Sequence, residues 1–495
     1  MPATRATRSP SDRFLRARWL ALGCGVGLLF AALPATASLP HQGADGRISA
    51  ADPFAACTRD SGQVGKVYLD TEVEPSADVN PTNPNNIVSV WKQDQWSNAG
   101  ARGLVGAVTR DGGASWQQVV VRNITLCSGG TPQNGGNFPR AADPWLSFAP
   151  NGKLFLSYLA LDQRNLPGVF VTTSSDGGLT WARTTRLIND GYFNDKDSVT
   201  ADPLNANRAY VVWDRAANHR VPVWFSRTLD GGRTWAPARQ IFDQGDGRAE
   251  IGSIIVPLVN GQLLDVFTLI YNYDSNATYD VAASRSPNFG ASWGKRIFIV
   301  HEAPKGVTDP DTGAAVRTSF ALPSAAVDRS RASPRYGAIY AVWQTGMFSG
   351  NRWTDIAYTR SFDGGVTWST ARKINRTPLR VPIPDRQAFT PTVHVAADGT
   401  VGVSYYDFRA NSRGPSAWTN HWLVTCAPTA FCTKTVNWKE SRVSGSFNIE
   451  LAPWAWGYFL GDYMALAAVG AGFKSIWIQT ATRRDPTNAW FASIP

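Results

Sequence analysis

The chain has 495 residues, a formal net charge of +10 and a 12% share of aromatic residues. The positive balance is mild for this length and no basic stripe accompanies it, which argues against a nucleic-acid interface. After the N-terminal segment no apolar run reaches about 18 residues, so no membrane-spanning helix is expected.

The chain opens with Arg5, Arg8, Arg13, Arg16 and Arg18, followed by an apolar run from Trp19 to Leu33. Ala35-Thr36-Ala37 then reads as a small-residue cleavage site, so residues 1–37 are predicted to be a secretory signal peptide and the protein to be exported. A lipoprotein signal ending at Cys24 fits less well, because its apolar run is short. Four cysteines remain after cleavage, and an even count in an exported chain predicts disulfides. Of the three possible pairings, Cys57–Cys127 and Cys426–Cys432 are favoured: the first ties the N-terminal segment to the body of the chain, and the second closes a short loop. Residues 38–65 are polar, small and Pro-containing, and read as a leader with little structure of its own.

From there on, short β-branched and aromatic runs alternate with turn residues, and 44 Gly and 31 Pro supply those turns. One stretch recurs. TRDGGASW (Thr109 to Trp116) returns as SSDGGLTW (Ser174 to Trp181), TLDGGRTW (Thr228 to Trp235), SPNFGASW (Ser286 to Trp293) and SFDGGVTW (Ser361 to Trp368). The acidic anchors are Asp111, Asp176, Asp230 and Asp363, with Asn288 in the fourth copy, and their spacings of 65, 54, 58 and 75 residues mark an array of similar supersecondary units.

The second unit reads most plainly: strands at Asp143 to Ala149, Lys153 to Leu161, Gly168 to Thr173 and Thr184 to Ile188, with the recurring box between the third and fourth. A four-stranded meander cannot hide both faces alone, whereas radial stacking around an axis can. The same order repeats, and unit six carries Cys426 to Cys432 where the box would stand. The chain ends with three strands only, so Lys66 to Leu69 (KVYL) is expected to supply the fourth strand of the last unit and close the ring. The expected fold is an all-β, seven-bladed β-propeller over residues 66–495, with six blades as the alternative.

The boxes sit in the turn between strands three and four. Their Asp is expected to accept turn N–H groups, their Gly to take a conformation other residues avoid, and their Trp to pack between neighbouring blades. They are structural in this reading, not catalytic. They resemble the Asp-box repeats of the sialidase (neuraminidase) superfamily. That resemblance implies a propeller. For activity it implies a clamp of arginines for a substrate carboxylate, a Tyr nucleophile with a Glu as its base, and an Asp that protonates the leaving group.

Topology says where to look. With the boxes on one face, the other carries the starts of the first strands and the ends of the second. Candidate catalytic residues there are Glu74, Asp143, Asp197, Glu250, Tyr406, Asp462 and Tyr463, and candidate substrate-binding residues are Arg140, Lys196, Arg317, Arg386 and Arg409. Opposed charges at a channel mouth suit acid/base chemistry. Two departures stand against sialic acid: the nearest string to the superfamily's Arg-containing motif, Asn137 to Ala141, comes after the first box, and seven units are counted rather than six. The leading expectation is exo-acting glycoside hydrolysis. The others are a lyase acting on a uronate polysaccharide, with His219 or His301 as base by residue type, and a non-catalytic glycan- or protein-binding propeller. The partner expected is a carbohydrate and the protein a monomer. No cofactor or metal is expected, since Asp309 to Gly313 reads as a Pro/Gly turn with solvated acids.

Overall fold

The computed structural model describes residues 41–42, 46–273, 276–318, 320, 322–412, 414 and 416–495. The signal peptide expected over residues 1–37 lies outside them.

Among the described residues the chain is built of β-strands joined by turns and short 3-10 segments. Among the described residues the strands pair into successive antiparallel meanders, the first two of them joined in one nine-stranded sheet. Their first strands are Glu72–Val79, Arg140–Phe148, Phe193–Ala201, Arg248–Pro257, Ser324–Val327, Ala388–Val395 and Ala465–Val469. Each first strand packs on the first strand of the next unit, and the seventh packs on the first. The result is the radial arrangement of a β-propeller.

Position within a unit explains the sequence texture. Second strands are sandwiched between neighbouring units: all nine residues of Ile87–Gln95 and all eight of Leu154–Leu161 are buried. They therefore read as nearly continuous apolar runs. Trp91, Trp213 and Trp343 occupy corresponding second-strand positions with no exposed surface, and burial of each such side chain contributes about 2–3 kcal/mol. Fourth strands face outward and are polar and short, as in Thr185–Ile188.

The boxes fall in the turns between third and fourth strands. Asp111 accepts from the Ser115 amide at 2.9 Å and from the Thr109 hydroxyl at 2.6 Å. Asn288 does the same work, accepting from the Ser292 amide at 2.8 Å. The box glycine has a second constraint beyond its positive φ. A Cβ on Gly113 (φ +107) would lie 2.3 Å from Phe491, and on Gly232 (φ +83) 2.9 Å from Phe155, each on the preceding unit. The tryptophans obey the same rule: Trp116 packs edge-on against Phe491, Trp235 against Phe155 and Trp293 against Phe225. Only Trp116 is fully buried; Trp181, Trp235, Trp293 and Trp368 are half-buried. The box is thus both a turn and a fastener to the unit before it.

Both favoured disulfides are present, Cys57–Cys127 and Cys426–Cys432. Two expectations need correction. The strand completing the seventh unit is Gly46–Arg47, paired with Trp490 and Phe491, and not KVYL, where Val67 only bridges Trp96. The segment before residue 65 is also not a loose leader. Ile48 and Phe54 are buried, and Asp60 pairs with Arg102 at 2.8 Å. These few apolar anchors inside a polar stretch bury enough surface to dock it.

Candidate functional site on the axis

The box turns share a face with the turns joining first and second strands: the Gly112 amide donates to Asn85 O and the Gly231 amide to Asn207 O, both at 2.8–2.9 Å. The starts of the first strands therefore lie on the opposite face. There the first strands share a local irregularity. Register shifts occur between Val73 and Ser76, Ala142 and Trp145, Asp195 and Ser198, Ile251 and Ile254, and Phe389 and Thr392. Inside them Glu74, Asp143, Lys196, Gly252 and Thr390 adopt φ of 50–68°. Such bulges re-aim side chains and recur beside active sites, and left-handed non-glycine residues store strain that the surrounding fold must hold. Three of the five positions carry a charged residue singled out from the sequence.

These side chains meet on the axis. Glu74 is fully buried, with Oε2 2.7 Å from Lys92 Nζ, and its Oε1 accepts from the Asp462 amide at 3.3 Å. Asp462 is clamped by Lys196 Nζ at 2.5 Å and by Arg317 Nη2 at 2.8 Å. Arg317 comes from a hairpin inserted before the fifth unit; that hairpin pairs in parallel with Tyr458–Phe459, and the guanidinium lies 4.1 Å from the Phe459 ring centre. Tyr463 donates to Pro144 O at 3.1 Å and packs edge-on against Trp145. Asp143 and Asp197 are buried beside them, and Asp143 Oδ2 has no hydrogen-bond partner among the described residues. Lys196, Asp197, Asp462 and Tyr463 line a cavity of about 810 Å³ that runs down the axis along all seven first strands.

Environment divides the acids into two kinds. Burial, partly offset by Lys92 and reinforced by Asp143 and Asp462, pushes Glu74 up to about 7. Burial raises Asp143, and burial with Asp143 alongside raises Asp197 further. Asp462 is equally buried, yet Arg317 and Lys196 outweigh that and hold it well below the usual carboxylate range. Burial, with the charges of Glu74 and Asp143, raises the Tyr463 phenol. Burial thus favours the neutral form of Glu74, Asp143 and Asp197, and the two cations favour the ionised form of Asp462. Lys92, Lys196 and Arg317 supply the positive charge of the cluster, paired with Glu74 and Asp462.

Other candidates lie elsewhere. Glu250 points away from the axis, its Oε1 accepting from the Gln244 amide at 3.0 Å, and burial pushes it up to about 8. Tyr406 is core: its hydroxyl donates to Ile478 O at 2.8 Å and accepts from Ile478 N at 3.0 Å. Arg140 ties Asn98 and the Ala99 and Val64 carbonyls. Arg386 caps Val381 O at 2.7 Å, and Arg409 pairs with Asp407 and Glu440 on the outer part of unit six. Of the four arginines only Arg317 joins the axial cluster, so the expected arginine clamp does not assemble from this set. Lys92 joins it from the second strand of unit one. Phe459 and Trp456, which flank Arg317, are absent from the sequence candidates because they carry no charge and stand outside the strand pattern. One signal for the axial positions was available: Glu74-Pro75, Asp143-Pro144, Leu322-Pro323 and Thr390-Pro391 recur near first-strand starts.

No family model and no curated protein matches the chain. Solved structures do. A Dyadobacter fermentans protein of unknown function is 13% identical with a TM-score of 0.44, over 92% of this chain and 99% of that one. A Hadza microbial sialidase is 11% identical with a TM-score of 0.44, over 92% and 95%. A Fusarium graminearum α-L-arabinofuranosidase is 12% identical with a TM-score of 0.47, over 69% and 90%. At such identities and scores, none of these likenesses decides an activity.

Proposed function

We propose that the chain is a secreted seven-bladed β-propeller that hydrolyses a terminal, anionic sugar from glycans at its axial site. The observation carrying this reading is the convergence of Glu74, Asp143, Lys196, Asp462 and Tyr463, from four different units, with three of them set in the same kind of strained first-strand bulge. In this reading Asp143, whose acidity burial weakens, gives its proton to the leaving oxygen. Tyr463 attacks the anomeric carbon, and Glu74, poised near neutrality, takes the phenolic proton. A neutral nucleophile suits an anionic sugar, which a carboxylate would repel. Arg317 and Lys196, oriented by Asp462, receive the sugar's carboxylate. The absent arginine clamp leaves sialic acid as one anionic sugar among several.

The test offers purified protein sialosides, uronate-bearing glycans and neutral aryl glycosides. Glu74→Gln and Asp143→Asn are expected to lower kcat about 10²–10⁴-fold while the fold is retained, and Glu250→Gln to leave it unchanged. Unchanged rates in the first two sink the reading. A second reading, a propeller that binds glycans without turnover, is favoured by the complete burial of Glu74 and the double pairing of Asp462. Saturable binding with no turnover on any substrate would select it.

A further inference from the structure

Away from the axis, unit four and the segment leading to unit five enclose an open cleft of about 1130 Å³. Its polar floor is organised by one carboxylate. Asp280 is buried, and its oxygens gather the Tyr271 hydroxyl at 2.9 Å, Arg296 Nη1 at 3.1 Å and His301 Nδ1 at 2.6 Å. Arg296 also contacts the Tyr271 hydroxyl. The His301 side chain is 87% exposed, so its far edge faces solvent in the cleft. The walls are aromatic. Phe298 and Phe320 are 46% and 41% exposed, Phe298 packs edge-on against His301, and Phe320 against Tyr279. Both rings line the same concavity as Asp280, Arg296 and His301.

We propose that this cleft is a second saccharide site that binds a uronate-bearing oligosaccharide. Asp280 and the Tyr271 hydroxyl engage Arg296 through Nη1 only, and Glu302, the other acid lining the cleft, accepts from the Trp343 indole N–H. Arg296 is held in place by Asp280 and Tyr271 and presents the planar fork that binds a carboxylate bidentately. The flat rings of Phe298 and Phe320 suit the apolar face of a sugar ring. The volume exceeds what one monosaccharide fills, which points to an oligomer. The ligand is therefore amphipathic, a ring with a carboxylate, and neither a free anion nor a neutral sugar satisfies both walls and floor. This site is independent of the axial reading, since it shares no residue with it.

The test is calorimetric titration of the full chain with a trimeric oligogalacturonate and with its neutral methyl ester. The acid is expected to bind at least about tenfold more tightly, the worth of a charge-assisted pair. Arg296→Lys keeps the charge and removes the fork; it should weaken the acid about tenfold and leave the ester unchanged. Phe298→Ala alters an exposed ring, so the fold is retained, and it should weaken both ligands. Equal affinity for acid and ester, or no saturable binding, overturns the proposal. So does benzoate binding as tightly as the trimer, because an aromatic acid would then be the ligand. Acid binding that survives both cleft variants but is lost in Lys196→Met would place the ligand on the axis and also overturn it. Failure of turnover in the axial experiment leaves these outcomes untouched.

Discussion

The two faces of the ring handle aspartate in opposite ways. On the box face, Asp111, Asp176, Asp230 and Asp363 are exposed or half-exposed, each wrapped by N–H and O–H donors from its own turn. Slight burial works against Asp111 and Asp363, but the Ser115 and Thr367 donors outweigh it and hold both carboxyls down to about 2. On the axial face, Glu74, Asp143 and Asp197 lie deep among one another and are pushed up, while Asp462 escapes only through two cations. Recurrence is therefore a poor guide to chemistry here. The most repetitive acids stabilise turns, and the chemically usable ones occur once each.

The largest test of this contrast is kinetic: Glu74→Gln should cost about 10²–10⁴ in kcat, whereas Asp176→Asn should leave kcat unchanged. Equal losses would erase the distinction between the faces. Next is Asp462→Asn, which leaves Lys196 and Arg317 without their countercharge. Chemical denaturation should show a loss of about 3–5 kcal/mol.

Acidity separates the faces a third way. Glu74 folds with a value of about 7 against 4.5 for the ordinary group. Between those values the native state keeps a proton that the unfolded chain has lost. Stability should then fall as pH rises from about 4.5 to 7 and level off above, with Glu74 alone contributing about 3 kcal/mol. Asp111 runs the other way: its contribution is present above 3.8 and is lost as pH falls through about 2. Denaturation midpoints measured across pH should show mild-acid stability higher than that at pH 8, and the Glu74→Gln variant should flatten the upper limb.

Smaller effects test the fastener. Gly113→Ala puts a methyl against Phe491 at a positive φ and should cost about 1–3 kcal/mol by thermal or chemical denaturation. Asp176→Asn should change stability by less than about 0.5 kcal/mol, because Asn288 already shows that an amide fills the acceptor role.

Much of the architecture was legible in the order of residues. The box is a local motif, so its turn, its position between the third and fourth strands and hence the face to search came from spacing. The two disulfides came from an even cysteine count, a short loop to close at Cys426–Cys432 and an N-terminal segment to tie down at Cys57–Cys127. The closing strand did not. Gly46–Arg47 is two residues with no strand pattern, and it pairs only because the last three strands offer a free edge.

The candidate site divides in the same way. Sequence alone determined that charged residues occupy the starts of the first strands, since local order and the position of the boxes set that. Tertiary structure alone decided which of them meet. The bulges turn Glu74, Asp143 and Lys196 toward one axis, while Glu250, two residues before the corresponding bulge glycine Gly252, faces the other way. Glu250 stands on the regularly paired part of its strand, before the register shift, so the bulge does not re-aim it. Whether a buried carboxyl keeps its proton then depends on cations contributed from hundreds of residues away, as Asp462 with Lys196 demonstrates.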